Sequence, residues 1–155
     1  MRMTMNDSLN ANQPPVWECE HEVVVNARPE IIWRQFQDVA AWPQWNAGIS
    51  HIEMSGPFQT GNHFVMTTPG QEPFTTRLVE VRENHGFLDE TRVGELRIFV
   101  DHQIQPISED LTRVVYSLQA FGPGCDDVGP MVSADFPDVL KSLAARAESV
   151  ACEPV

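Results

Sequence analysis

The residues best suited to chemistry are His102, Tyr116 and Arg77. In the stretch Leu96–Gln105, Leu96, Ile98, Val100, His102 and Ile104 share one parity, while Arg97, Asp101, Gln103 and Gln105 share the other. A strand with this alternation turns His102 onto its apolar face. Leu111–Phe121 does the same for Tyr116, in a set with Val114, Leu118 and Ala120. The two strands are joined through Pro106–Asp110, so imidazole and phenol fall within reach of each other. A His–Tyr pair in apolar surroundings can do general acid–base work on a ketone or enol. The plainer role is a core histidine and tyrosine bonded to each other or to water. In Phe74–Glu83 the parity of Val79 and Val81 also carries Thr75 and Arg77. An inward Arg77 needs a partner, and Asp89 or Glu90 on the next strand is the natural carboxylate. Its other roles are a clamp on a ligand carboxylate or carbonyl, or a strand-end cation that reaches solvent. His21 shares the apolar parity of the first strand, whereas His51 and His63 are expected to be exposed.

Other chemistries lack a warrant. The five histidines show no HxxxH or HxH spacing, and the three cysteines, Cys19, Cys125 and Cys152, no CxxC; no metal site and no disulfide framework is expected. Cys125 falls in a Gly/Pro loop, a place open to solvent. There is no GxSxG elbow, phosphate loop or dinucleotide fingerprint, and no cofactor is expected. Ten Lys plus Arg against 22 Asp plus Glu give a net charge of −12 over 155 residues, which disfavours nucleic acid and anionic membrane surfaces. No run approaches the ~20 apolar residues of a membrane span. The polar N-terminus has no signal-peptide core, so the cytoplasm is the expected location. Residues 1–15 are expected to be a flexible lead-in to a single domain over 16–151.

The elements that must position these residues follow from the chain in order. Val16–Val25 alternates as a first strand. Pro29 opens a helix over Glu30–Phe36, and Asp38–Ala41 looks like a second short one that stops before Pro43. The tryptophan-rich segment Trp42-Pro43-Gln-Trp45 reads as a hydrophobic clamp at the sheet edge, with ligand stacking the lesser reading. Strands are predicted over Ile49–Met54, Asn62–Thr68, Phe74–Glu83, Phe87–Arg92, Leu96–Gln105 and Leu111–Phe121, separated by Gly/Pro/Asn turns, with a loop over Gly122–Gly129. Last comes an amphipathic helix, in which Phe136, Leu140, Leu143, Ala147 and Val150 form one apolar stripe. Asp135 and Asp138 make an imperfect capping box. Pro137 either kinks one helix over Pro130–Ser149, the reading slightly favoured because Met131, Val132 and Phe136 suggest a buried upstream turn, or lies in the first turn of a helix starting near Asp135. Seven strands in a meander with one covering helix make an α+β two-layer fold.

Several framework segments carry a resemblance: Asn26-Ala-Arg-Pro29-Glu30-Ile-Ile-Trp33, Phe36-Gln-Asp38, Trp42-Pro43-Gln-Trp45, Gly61, Leu78–Val81, Ile104-Gln-Pro106, Leu111-Thr112-Arg113-Val114, and Leu140-Lys141-Ser142-Leu143 with Glu148. In these the chain resembles the polyketide cyclase/dehydrase-like branch of the START/Bet v 1 (SRPBCC) superfamily. The resemblance implies the helix-grip fold, a curved antiparallel sheet wrapped round the C-terminal helix, with an apolar cavity between them for a hydrophobic small molecule, polyketide- or lipid-like. Val79, Val100, Val114, Leu118, Phe136, Leu140 and Leu143 would then line that cavity and Arg77 would orient the ligand. His102 would exchange a proton and Tyr116 donate to an oxygen in a cofactor-free cyclisation or dehydration. The same fold also serves as a chaperone co-activator-like interaction module and as a non-catalytic carrier or sensor. A monomer or homodimer is expected.

Overall fold

The computed structural model describes residues 16–152; the lead-in expected over 1–15 lies outside them. The elements in chain order are β1 (Val16–Val25), α1 (Pro29–Gln37), a 3-10 helix (Val39–Gln44), β2 (His51–Met54), β3 (His63–Thr67), β4 (Phe74–Arg82), β5 (Gly86–Val93), β6 (Leu96–Ser108), β7 (Leu111–Phe121), α2 (Cys125–Ser133) and α3 (Phe136–Ala151). The seven strands form one antiparallel sheet in the order β1-β7-β6-β5-β4-β3-β2. This is the expected curved sheet with a long C-terminal helix.

Register decides which side chains meet. His21 pairs with Tyr116, Tyr116 with His102, His102 with Phe87, and Phe87 with Val81, so one inward row crosses five strands. Over this face lies α3, burying Phe136, Val139, Leu140, Leu143, Ala144 and Ala147. Each large side chain so buried is worth about 1.5–3 kcal/mol. α1 adds Ile32, Trp33 and Phe36. Polar bonds fix the helices to one another: Arg146 Nε donates to Gln35 Oε1 at 2.9 Å and Arg146 Nη1 to Gln44 Oε1 at 3.0 Å. The Asn26 backbone N–H donates to Glu148 Oε2 at 2.9 Å, tying the end of β1 to α3.

Three expectations are corrected. The second short helix runs on through Pro43 as a 3-10 turn. Its tryptophans override the local bias against helix before proline: Trp42 Nε1 donates to the Phe36 carbonyl at 3.0 Å, and Trp42 and Trp45 are both buried. The single kinked helix over Pro130–Ser149 does not form; α2 and α3 are separate, and Pro137 sits in the first turn of α3, where its missing N–H is harmless. Asp135, at the break, makes no side-chain cap bond. The segment read as a loop before Pro130 is already helical from Cys125. The buried face of α2 is Cys125, Gly129 and Ser133, which brings it close to β1, and Met131 is left 74% exposed with Val132 also outward. A Cβ on Gly129 would run into the Trp17 ring.

Gly86 carries the register at the site. It pairs with Gln103 at φ 132°, and a Cβ there would fall on the His102 carbonyl oxygen. Gly94, at φ 61°, has open space around the same position. Gly94→Ala is therefore expected to cost about 1 kcal/mol, the backbone term alone. Gly86→Ala should cost several times as much, because β5 must move away from β6. Urea unfolding of the two variants makes the comparison, and equal losses would show that the approach of β5 to His102 is not constrained.

Candidate functional site

The inward row builds the site. The His102 ring stacks on Phe87, with centroids 3.8 Å apart and planes 12° from parallel. Tyr116 meets the other side of His102 edge-on at 4.6 Å. From the start of α3, Phe136 packs against Tyr116 at 5.3 Å and His21 at 6.2 Å. Phe36 of α1 closes on Phe87 at 5.2 Å and His102 at 5.9 Å. The structure thus brings His102 and Tyr116 together, as their parity predicts, with His21 beside them.

The sequence reading missed Asp89 as a member of this group. It pairs with Val100 and therefore points inward, and it is 8% exposed. The signal was present in β5, where Phe87, Asp89 and Thr91 share the apolar parity. Burial pushes the Asp89 carboxyl up to about 8, against the pull of a bond from the Val100 backbone N–H and with a further push from Asp101. His102 moves the other way: burial holds it down at about 4, although bonding to the Phe87 carbonyl and the charge of Asp101 favour its cation. The Nδ1 of His102 lies 3.2 Å from the Phe87 carbonyl oxygen. In the neutral ring Nδ1 must therefore carry the proton, leaving the lone pair on Nε2. Tyr116 is raised by burial first and then by the carboxylates Asp89 and Asp135. Asp135, at the break between α2 and α3, is itself raised by burial and by Asp138. At neutral pH the inner group is thus a protonated acid, a neutral imidazole and a neutral phenol. An acid and a base whose pKa values are driven apart are the raw material of acid–base chemistry.

Arg77 is not part of this group. A β-bulge between Leu78 and Glu80 reverses the side-chain alternation of β4, so Val81 points inward with Phe87 while Arg77 pairs with Glu90 on the outer face. The parity carried back from Val79 and Val81 fails at that bulge. Outside, Arg77 Nη2 donates to Glu90 Oε1 at 3.2 Å, while Arg92 Nε and Arg97 Nε donate to Oε2 at 2.9 and 2.7 Å. Burial would raise Glu90, but the three guanidiniums outweigh it and hold the carboxyl at about 2.

Of the residues expected to line a cavity, Val100, Val114, Leu118, Phe136, Leu140 and Leu143 are buried in the core, and Val79 stands at the bulge. Two cavities lie elsewhere. One of about 510 Å3 is on the outer sheet face, lined by Leu88, Glu95, Arg97, Phe99, Gln119, Phe121 and Gly122. The other, of about 370 Å3, is lined by Trp33, Gln37, Phe58, Gln59, Thr60, Val81 and Glu83. The expected open place for Cys125 is also corrected: it is buried at the start of α2, and its thiol is pushed up by burial and by Asp126, which makes it a poor nucleophile.

The two shifted groups set a pH dependence. An unfolded aspartate titrates near 3.9, so from about 4 to 8 only the folded state keeps the Asp89 proton, and stability falls as pH rises. For His102 only the unfolded state is protonated between about 4 and 6.5, so stability rises with pH there. The two slopes oppose each other up to about pH 6.5, and above it the Asp89 slope remains. Between pH 6.5 and 8 this group is expected to remove on the order of 2 kcal/mol, a loss that Asp89→Asn abolishes. Urea unfolding at the two pH values reads it; parallel behaviour of wild type and variant would mean that Asp89 is ionised in the fold.

The geometry has known counterparts. A norcoclaurine synthase point mutant from Thalictrum flavum superposes with a TM-score of 0.73 at 14% identity, covering 88% of this chain and 97% of that one. An aromatase/cyclase from a Streptomyces species gives 0.72 at 14% identity, over 86% and 94%. A START superfamily protein from Mycobacterium smegmatis gives 0.69 at 22%, over 86% and 98%. At these identities the likeness is one of fold. No curated protein matches the sequence. The sequence pattern of the family described as polyketide cyclase / dehydrase and lipid transport matches residues 16–148, which spans nearly all of the described chain, and the chain belongs to that family.

Proposed function

We propose that the protein binds a hydrophobic, polyketide- or lipid-like small molecule against the inner aromatic row of the sheet, and that Asp89, Tyr116 and His102 carry out cofactor-free proton transfer on its carbonyl groups. Family membership supports a ligand-binding role. The observation that carries the finer reading is Asp89: a buried carboxyl facing apolar and aromatic groups, with no cation beside it among the described residues. A purely structural core would be more stable with an apolar residue there. Asp89 and Tyr116 act as donors to a ketone or developing enolate oxygen, and His102 Nε2 accepts the proton from the adjacent carbon. Val100, Val114, Leu118, Leu140 and Leu143 form the closed apolar core that holds these groups rigid, so that a flexible chain is folded into reactive shape against the aromatic row. The aromatase/cyclase that shares the fold supplies the analogy for the reaction class, cyclisation, in which the enolate carbon bonds to a second carbonyl carbon whose oxygen takes the donated proton.

A second reading rests on the cavity of the outer face. Leu88, Phe99 and Phe121 make it apolar, and Arg97 stands 4.9 Å over the Phe99 ring. That is a place for a protein partner on an interaction module without turnover, or on a carrier. The readings separate on chemistry. With a short linear β-polyketone as substrate, Tyr116→Phe and Asp89→Asn are each expected to lower kcat by about 10²–10⁴ with KM little changed, and His102→Ala to do the same. Turnover unaffected by all three changes overturns the acid–base reading. Native mass spectrometry of the purified protein, searched for a retained hydrophobic molecule, separates carrier from interaction module.

A further inference from the structure

The aromatic wall behind His102 continues outward to the cavity of about 370 Å3. Trp33 of α1 meets Phe58 edge-on at 5.7 Å, Phe58 meets Phe87 at 5.1 Å, and Phe87 stacks on His102. Phe58 also touches Trp42 at 6.3 Å. Trp33, Phe87 and His102 are held by α1, β5 and β6. Phe58 alone sits on a loop, between β2 and β3, and is half-buried among exposed neighbours. The bonds that fix this loop involve residues on either side of it. Asn62 Nδ2 donates to the Pro57 carbonyl at 2.7 Å, the Val81 backbone N–H donates to Thr60 Oγ1 at 2.8 Å, and the Gly61 N–H donates to the Leu78 carbonyl at 2.8 Å.

Trp33 adds a second, independent observation. It is 4% exposed, and its Nε1 proton has no partner among the described residues. Trp42 nearby does have one, the Phe36 carbonyl, and Trp45, whose Nε1 also has no partner among the described residues, lines neither cavity. A buried N–H without an acceptor costs about 1–3 kcal/mol, and such groups are few in native proteins. Here it lies in a residue that lines a cavity of ligand size, beside the one ring in the wall that a loop can carry away.

We infer that this cavity is the outer half of the ligand site, taking a planar aromatic ring that bears a neutral carbonyl acceptor. The ring replaces Phe58 against Trp33 and Phe87, and the carbonyl oxygen accepts the Trp33 Nε1 proton. Displacing Phe58 seats the ring directly on Phe87, whose other side is the His102 ring. Glu83 on the rim and the net charge of −12 oppose an anionic ligand, which is why the acceptor is neutral. The inference rests on the reading that this protein binds a hydrophobic small molecule.

The test uses the full chain with 2-acetylnaphthalene, and 2-ethylnaphthalene as a probe of the same ring without an acceptor. The Trp33 indole N–H resonance, assigned with Trp33→Phe, should shift downfield with the acetyl probe. That probe should bind about tenfold more tightly than the ethyl one, the effect of one restored hydrogen bond. Trp33→Phe keeps a ring in place, removes the proton and should make the two affinities equal. Phe58→Ala should tighten both probes by emptying the seat. Equal binding of the probes to wild type, an unchanged ratio in Trp33→Phe, weaker binding in Phe58→Ala, or no binding to any of these proteins overturns the inference. The inner-site reading is judged separately, by turnover in Tyr116→Phe.

Discussion

Everything in this molecule that resembles a site depends on the register of β5, β6 and β7. Side chains on a strand alternate between faces, so a slip of one residue would send His102 and Tyr116 outward and bring Asp101 and Ser117 in. Gly86 lets β5 approach β6 at the His102 carbonyl, where any side chain would collide. β6 and β7 run together over most of their length and hold the His102–Tyr116 pair opposite one another. The apolar stripe of α3 then fixes which face is inside.

That sidedness has an electrostatic consequence, plainest at two consecutive residues. Asp89 and Glu90 are both buried carboxylic acids on β5, yet Asp89 is pushed up to about 8 and Glu90 held down at about 2. Burial drives both upward. Glu90 turns to the outer face, where three arginines donate to it, whereas Asp89 turns to a face of rings and aliphatic side chains with no compensating cation among the described residues. The outer face therefore holds its charge and the inner face sheds it. An interior kept neutral at physiological pH suits an uncharged ligand and leaves Asp89 with a proton to give.

Much of this was legible in the sequence because it depends on local alternation. β1 and β7 are found at their expected boundaries, and the parity of β6 and β7 gives the His102–Tyr116 contact. What was not legible depends on departures from regularity or on tertiary packing. The bulge after Leu78 adds one residue to β4, and a parity carried across it puts Arg77 on the wrong face. Gly129 and Pro130 disguise α2 as a loop, because its buried face is made of small residues that only the close approach of Trp17 explains. Met131 looks like core by hydropathy but lies on the opposite side of that helix, and Val132, at the flank of the buried face, is left partly exposed. Asp89 was hidden by its type, since an aspartate on an apolar parity is more readily assigned as a partner for a nearby arginine than as an isolated buried acid.

The packing of the interior constrains how any ligand is admitted. Leu118, Leu140 and Leu143 are fully enclosed and are held by β7 and α3, so moving them would break contacts across both layers of the fold. A buried leucine opened in this way costs several kcal/mol, because its neighbours relax only in part. Phe58 is different in kind: it is half-buried, it hangs from a loop whose bonds involve other residues, and its contacts are ring edges worth about 0.5–1.5 kcal/mol each beyond their area. An incoming aromatic ring restores those same contacts, and its acceptor gives the Trp33 proton the partner it lacks. Exchange of one ring for another is thus close to balanced, whereas insertion between β7 and α3 is not. A tightly packed core and a ligand-binding role are compatible on this ground: the fold keeps its core closed and places the exchangeable side chain at its edge, one ring away from His102.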